Sequence, residues 1–288
     1  AVKKILGKAG TPVKLIISRD GKEQEVNVTR GRIDTESVLG YKREADTNAW
    51  NYWVDEKSKI AYIRLTSFQQ FSGRDMQKVL DTLKKQPGGV KGLVLDMRFN
   101  PGGYLTSAVQ ISDLFIDDGR IVSIRPRVGQ EDTYNGKSEG SELDFPMVVL
   151  VNGFSASGSE IVAAALQDHK RAFVMGERSY GKGSVQHTQP WEDGLLKFTM
   201  ASFWRPNGKN LNKSSTGGKD EDEWGVSPDK AVPLTRKERD DLAEAQRDAE
   251  IILPKGKPRE KTGFQDKQLE SALEYLREQI KVTSRIGN

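Results

Sequence analysis

The chain has 288 residues, 30% of them charged and 35% hydrophobic, and no apolar run approaches the ~20 residues that a bilayer span needs. Lys+Arg 45 against Asp+Glu 41 leaves a formal charge of +4, a mild excess without the basic blocks of a dedicated nucleic-acid binder. No cysteine and two histidines, His169 and His187, exclude disulfides, thiol catalysis and sulfur-bound zinc, and leave little for an all-imidazole metal site.

Position 1 is alanine, followed by what reads as a helix end from Val2 to Leu6, so the chain is expected to begin mid-protein. Two strands follow, Val13 to Ser18 and Glu25 to Arg30. They are joined across Asp20-Gly21, a hairpin signal between alternating apolar runs. Residues 1–33 carry too few apolar side chains to fold unaided and read as the tail of something larger. Strand-like runs fill Glu36 to Phe68, including Lys59 to Thr66. The aromatics Trp50, Tyr52 and Trp53 are expected to pack on a sheet, since no basic groove is interleaved with them. Ser72 caps a predicted helix whose Met76, Val79, Leu80 and Leu83 fall at helical spacing, closed by Pro87-Gly88-Gly89.

From here strand and helix alternate. Gly92 to Met97 is a short apolar run with Asp96 inside it; Asn100-Pro101-Gly102-Gly103 follows, and Leu105, Ala108, Val109, Ser112 and Phe115 trace a helix. Arg120 to Arg125 returns as a strand, and the polar residues 126–146 form an excursion or hairpin. Met147 to Val151 reads as a buried strand, Ser157 to Asp168 as a helix and Ala172 to Met175 as a short strand. This alternation predicts right-handed crossovers and mainly parallel pairing. Ser184 to Gln189 and Leu195 to Trp204 read as extended, and residues 210–222 as a polar loop. Segments 234–252 and 265–283 are charged amphipathic helices, each with one buried stripe, separated by Pro254 to Pro258; Lys255 to Lys261 reads as a linker.

In parallel crossover units the turns leaving the strands lie along one sheet edge, where open α/β proteins bind ligands. Asn100–Gly103, Gly153–Ser157 and Gly176–Gly183 are therefore predicted to converge. Ser157 opens a helix among small residues, and two roles compete for its hydroxyl. With Glu160 three residues on it fits a capping box; beside the Gly158 amide it also suits a nucleophile with an oxyanion donor next to it. A histidine base fits poorly, since His169 ends the same helix about 18 Å from its start and His187 lies in an extended run. Lysine remains, and Lys182 is flanked by Gly181 and Gly183. An ordinary lysine, with a pKa of about 10.4, is neutral in only ~1 in 2,500 molecules at pH 7. Service as a base therefore calls for a buried pocket worth about 4 kcal/mol. Gln186, four residues on, is placed to orient the amine through its amide oxygen.

The same turn has a rival reading as a phosphate-cradling P-loop. Gly176 to Lys182 satisfies the first seven positions, but Gly183 stands where Ser or Thr should hold magnesium, and an extended run follows instead of a helix. Asn100–Gly103 is either a tight connection or a second source of oxyanion amides from Gly102 or Gly103.

Together, Phe99-Asn100-Pro101-Gly102-Gly103, the run from Val148 through Asn152-Gly153-Phe154-Ser155-Ala156-Ser157-Gly158-Ser159-Glu160 to Ile161, and Gly176 through Tyr180-Gly181-Lys182-Gly183 to Gln186 resemble the carboxy-terminal processing, or tail-specific, proteases. The likeness covers roughly residues 1–232. It implies an α/β chain with a crotonase-like catalytic core of βαβ units at 34–232, preceded by the C-terminal part of a PDZ domain at 1–33 and followed by a C-terminal helical extension at 233–288. It further implies a serine endopeptidase with Ser157 as nucleophile, Lys182 as general base, Gln186 as its orienting partner, and Gly103 and Gly158 as oxyanion donors. Ser155 and Ser159 are motif neighbours, Glu160 supports the helix start, and Gly158 departs from the alanine common in the family. No cofactor or metal is implied. The implied partners are protein or peptide substrates with accessible C-termini, with an adaptor or self-association through the C-terminal helices as a further contact, and without nucleic acid or a transmembrane segment. The implied location is outside the cytoplasm, in a bacterial periplasm or envelope. Against this stands an adaptor reading, in which a PDZ-bearing chain with an idle core only binds peptides.

Overall fold

The computed structural model describes residues 2–19, 21–32, 35–137, 140–254 and 263–286. Asp20 of the anticipated turn, Ile33 at the anticipated boundary and residues 255–261 of the anticipated linker lie outside the described residues. The chain divides into two compact units, Ala1–Glu36 and Ser37–Asn288.

In the first unit, helix α1 (Val2–Ile5) precedes strands β1 (Pro12–Arg19) and β2 (Lys22–Thr29), which pair antiparallel from Pro12 opposite Thr29 to Arg19 opposite Lys22. The Arg30 guanidinium donates to the carbonyls of Lys4 (3.0 Å) and Ile5 (2.7 Å). A cation there satisfies acceptors that the last helical turn leaves open.

The second unit begins with β3 (Val38–Leu39), β4 (Lys42–Arg43), β5 (Trp50–Asn51), β6 (Trp53–Asp55), β7 (Ile60–Leu65), α2 (Ser72–Lys84), β8 (Gly92–Asp96) and α3 (Leu105–Asp113). It continues with β9 (Arg120–Pro126), β10 (Asp132–Asn135), β11 (Met147–Val151), α4 (Gly158–Asp168), β12 (Phe173–Gly176), β13 (Ser184–Trp191), β14 (Gly194–Trp204), β15 (Lys230–Ala231), α5 (Arg236–Glu250) and α6 (Lys267–Ile286).

The central sheet has the order β15-β12-β11-β8-β7-β3, with β6 also on β7. The pairings β7–β8, β8–β11, β11–β12 and β12–β15 are parallel, as the alternation of strands and helices predicts; β3 and β6 join antiparallel. Its central strands β7, β8 and β11 are buried and mostly apolar on both faces because both faces are covered. Ile63, Leu95, Val149 and Val174 face a core shared with Met76 and Leu80 of α2, Ile111 of α3 and Val162 of α4. Tyr62, Val94, Val148 and Met175 face Leu269, Leu273 and Leu276 of α6.

The parallel pairing expected from the alternation fails for Arg120 to Arg125, which as β9 pairs antiparallel with β10 in the hairpin expected within 126–146 and with β14. Strands β10-β9-β14-β13 form a separate four-stranded antiparallel sheet. Only Glu192 and Asp193 separate β13 from β14, and so short a connection allows antiparallel neighbours alone. Trp50 and Trp53 are half-buried on β5 and β6, with the Arg43 guanidinium 4.0 Å from the Trp50 ring centroid. Among the described residues, no helix is long and apolar enough to cross a membrane.

Candidate active site

Strands β8, β11 and β12 are parallel neighbours, so the turns that leave them emerge at the same sheet edge. Hydrogen bonds tie the three turns together. Phe99 N–H donates to Asn152 Oδ1 (3.0 Å) and Ala156 N–H to the Asn100 carbonyl (3.0 Å). Tyr180 N–H donates to the Ser155 carbonyl (3.0 Å). The Ser155 hydroxyl donates to the Met97 carbonyl (2.8 Å) and that of Ser159 to the Asn100 carbonyl (2.9 Å), both residues being fully buried. These two serines hold the turns and have no free hydroxyl to offer.

Ser157 is half-buried at the N-cap of α4 with φ 55° and ψ −111°. A side chain is seldom found in this region, and such strain persists only where the surroundings impose it. The anticipated capping box is formed: Glu160 Oε2 accepts Ser157 N–H (2.8 Å) and the Ser157 side chain faces Glu160 N–H, which also donates to the Ser157 carbonyl (2.9 Å).

Gly102 presses on this serine. With φ +96°, a Cβ there would lie 2.7 Å from the Ala156 carbonyl oxygen, 2.8 Å from Ser157 Cβ and 2.9 Å from Gly158 N. Its own N–H is taken by Asn100 Oδ1 (2.9 Å), which leaves Gly103 as the oxyanion candidate of this turn. Gly103 sits against Phe68, whose carbonyl oxygen would be 2.1 Å from an added Cβ. Phe68 also accounts for Gly158, where a Cβ would meet the Phe68 ring at 2.9 Å. The ring fills the space that an alanine methyl would occupy.

Lys182 is brought to Ser157 by its backbone. Its N–H donates to Glu160 Oε2 (2.8 Å), the same oxygen that holds Ser157 N–H, so the two nitrogens lie within about 6 Å of each other. Its side chain is exposed, and no hydrogen bond joins the amine to the Ser157 hydroxyl. The buried pocket expected for the amine is not formed around it. Burial falls instead on the flanking glycines, where a Cβ on Gly181 would meet Lys213 Cβ at 2.7 Å and one on Gly183 would meet Asn212 N at 2.3 Å. Gln186, exposed on β13, donates from Nε2 to Thr199 Oγ1 (2.6 Å). The histidines lie elsewhere: His169 caps the far end of α4 with Nε2 2.7 Å from the Arg120 carbonyl oxygen, and His187 is exposed beside Phe198. The P-loop alternative required a helix after Lys182, but β13 begins at Ser184.

One buried polar cluster behind the first turn escaped the sequence reading. Arg98, two residues before Asn100, is 2% exposed and donates to Asp96 Oδ2 (2.6 Å), to Asp266 Oδ2 (2.7 Å) and to Gln268 Oε1 (2.9 Å) at the start of α6. Tyr62 OH donates to Asp96 Oδ2 (2.7 Å). Burial and the Asp96 carboxylate push the Tyr62 hydroxyl well above its usual pKa. Asp96 within an apolar strand was the available signal, because a buried carboxylate requires a partner.

The profile of Peptidase family S41 matches residues 59–232, which contain all three turns. The chain belongs to peptidase family S41. It is 40% identical over 218 residues to a carboxy-terminal-processing protease of Bartonella bacilliformis, covering 73% of this chain and 47% of that protein. It is 35% identical over 216 residues to the carboxy-terminal processing protease CtpA of Bacillus subtilis, covering 74% and 43% respectively. The chain thus spans less than half the length of these curated relatives. Among solved structures, a photosystem II D1 C-terminal processing protease aligns with a TM-score of 0.55 at 30% identity, covering 79% of this chain and 57% of that one. An S41 protease of Bacteroides fragilis, at 17% identity and a TM-score of 0.56 over 95% of this chain and 66% of that one, shares the mixed α/β fold. The family's relatives are named for proteolysis, and the adaptor reading gains no support from them.

Proposed function

We propose that this family S41 chain is the catalytic part of a serine endopeptidase that cleaves protein substrates near their C-terminal tails by a Ser–Lys dyad. Lys182, uncharged, takes the proton of the Ser157 hydroxyl while Oγ attacks the peptide carbonyl carbon. The amides of Gly103 and Gly158 stabilise the oxyanion. The protonated amine then passes its proton to the leaving nitrogen as the C–N bond breaks. Water, deprotonated by Lys182, hydrolyses the acyl-enzyme and the proton returns to Ser157. Gln186, anchored through Nε2 on Thr199, keeps Oε1 for the amine. A peptide bound over Ser157 would cover the exposed Lys182 and exclude water from the reacting groups.

The observation that carries this reading is the meeting of separate turns on Ser157, with Gly102 against its Cβ and Glu160 holding its amide and that of Lys182 on one oxygen. In the same proposal residues 34–232 are a crotonase-like core, residues 1–33 the end of a PDZ domain and residues 233–288 a helical extension, and the protein works outside the cytoplasm. The test is cleavage of an unfolded protein by wild type, Ser157→Ala and Lys182→Ala. New fragments are expected from wild type alone, and cleavage by either folded variant contradicts the dyad.

A further inference from the structure

Glu160 does far more than start a helix. It is fully buried, and its two carboxylate oxygens accept four hydrogen bonds from neutral donors. Oε2 takes Ser157 N–H (2.8 Å) and Lys182 N–H (2.8 Å); Oε1 takes the Ser179 hydroxyl (2.6 Å) and Gly181 N–H (2.6 Å). A capping box explains only the first. The other three reach a turn 19 to 22 residues downstream that also carries Lys182. A buried carboxylate is usually compensated by a cation; here donors from two turns do that work, although burial still pushes its pKa above the ordinary 4.5. A third segment seals the carboxylate. Val226 N–H donates to Ser179 Oγ (2.7 Å), and a Cβ on Gly225 would stand 2.7 Å from Ser179 Oγ and 3.2 Å from Glu160 Oε1.

We propose that Glu160 is a positioning residue of the Ser–Lys pair, setting the separation of Ser157 and Lys182 by holding both backbone amides on one carboxylate oxygen. The proposal rests on the dyad reading given above. Both reacting side chains spring from backbone that this oxygen fixes, and a displacement of about 1 Å can cost on the order of 10²-fold in rate. Glutamine at this position keeps the shape but turns one oxygen into a donor. Whichever way the amide lies, its NH₂ faces at least one N–H that it cannot accept.

The test measures kcat and KM separately on a fluorogenic peptide for wild type, Glu160→Gln and Ser179→Ala, with Ser157→Ala as the inactive reference and melting curves to establish folding. Glu160→Gln is expected to lose about 10²-fold in kcat, with KM within about threefold of wild type. Ser179→Ala, which removes one donor, is expected to lose about tenfold, and it decides the matter if Glu160→Gln fails to fold. A folded Glu160→Gln with wild-type kcat, a loss that only mirrors the unfolded fraction, or an unchanged kcat in folded Ser179→Ala overturns the proposal. Cleavage by Ser157→Ala overturns the dyad reading itself, and the positioning role with it.

Discussion

Replacing Gly102 by alanine tests the close approach on which the site is built. At φ +96° an L side chain incurs strain, at a cost of roughly 1–2 kcal/mol. The new methyl also overlaps three atoms, the Ala156 carbonyl oxygen at 2.7 Å, Ser157 Cβ at 2.8 Å and Gly158 N at 2.9 Å. Two are backbone atoms, so the overlap cannot be relieved by turning a side chain, and overpacking of this kind costs about 1–3 kcal/mol. The sum, about 2–5 kcal/mol, is below the stability of many domains, so the variant is expected to fold with its first turn displaced from Ser157. Urea titration of the full chain should show the stability loss. Peptide hydrolysis should fall on the order of 10²-fold, because the Gly103 amide moves with the turn. An unchanged urea midpoint together with activity within about threefold of wild type would refute the packing argument and the oxyanion role drawn from it.

Gly158→Ala should gain up to about 1 kcal/mol of helix propensity but lose more against the Phe68 ring 2.9 Å away, for a net destabilisation of about 1 kcal/mol. Adding Phe68→Leu should remove the clash, so a double-mutant cycle measured by urea unfolding should show coupling between two residues far apart in sequence. For Asp266, burial alone would raise the carboxyl pKa, but the Arg98 charge and hydrogen bonds outweigh it and hold the group below 3.8. Its contribution to stability is therefore complete above that value and lost as pH falls through the lower folded one. Asp266→Asn should accordingly be less stable at pH 7, with the difference shrinking in acid; a difference that grows in acid would contradict the assignment.

The parts of the site that were legible in the sequence are those written in local chemistry. Asn100-Pro101-Gly102-Gly103 and the small residues around Ser157 announce turns that approach other backbone closely, and the apolar runs Gly92 to Met97 and Met147 to Val151 place those turns at strand ends. What stayed hidden depends on partners distant in sequence. The Ser157–Glu160 spacing reads as a cap and gives no hint that the same carboxylate also binds the turn around Lys182. Gly158 reads only as a departure from alanine until Phe68 is seen against it. Nothing local marks Arg98, because Asp266, its partner just before α6, lies 168 positions away. Burial of the Lys182 amine was expected from the glycines beside it, yet those glycines admit the backbone of residues 212 and 213, and the amine faces outward. The antiparallel second sheet was missed because periodicity within a strand does not say which sheet it joins.

The most direct test is covalent. The protein is incubated with a fluorophosphonate, which phosphonylates activated serine hydroxyls, then digested, and the modified residue is located by mass spectrometry in wild type and in Lys182→Ala. A single adduct on Ser157 that is lost or greatly slowed without Lys182 is the predicted result. Sustained peptide cleavage with Ser157 unmodified, or equal labelling of Ser157 in the two proteins, would contradict the Ser–Lys mechanism.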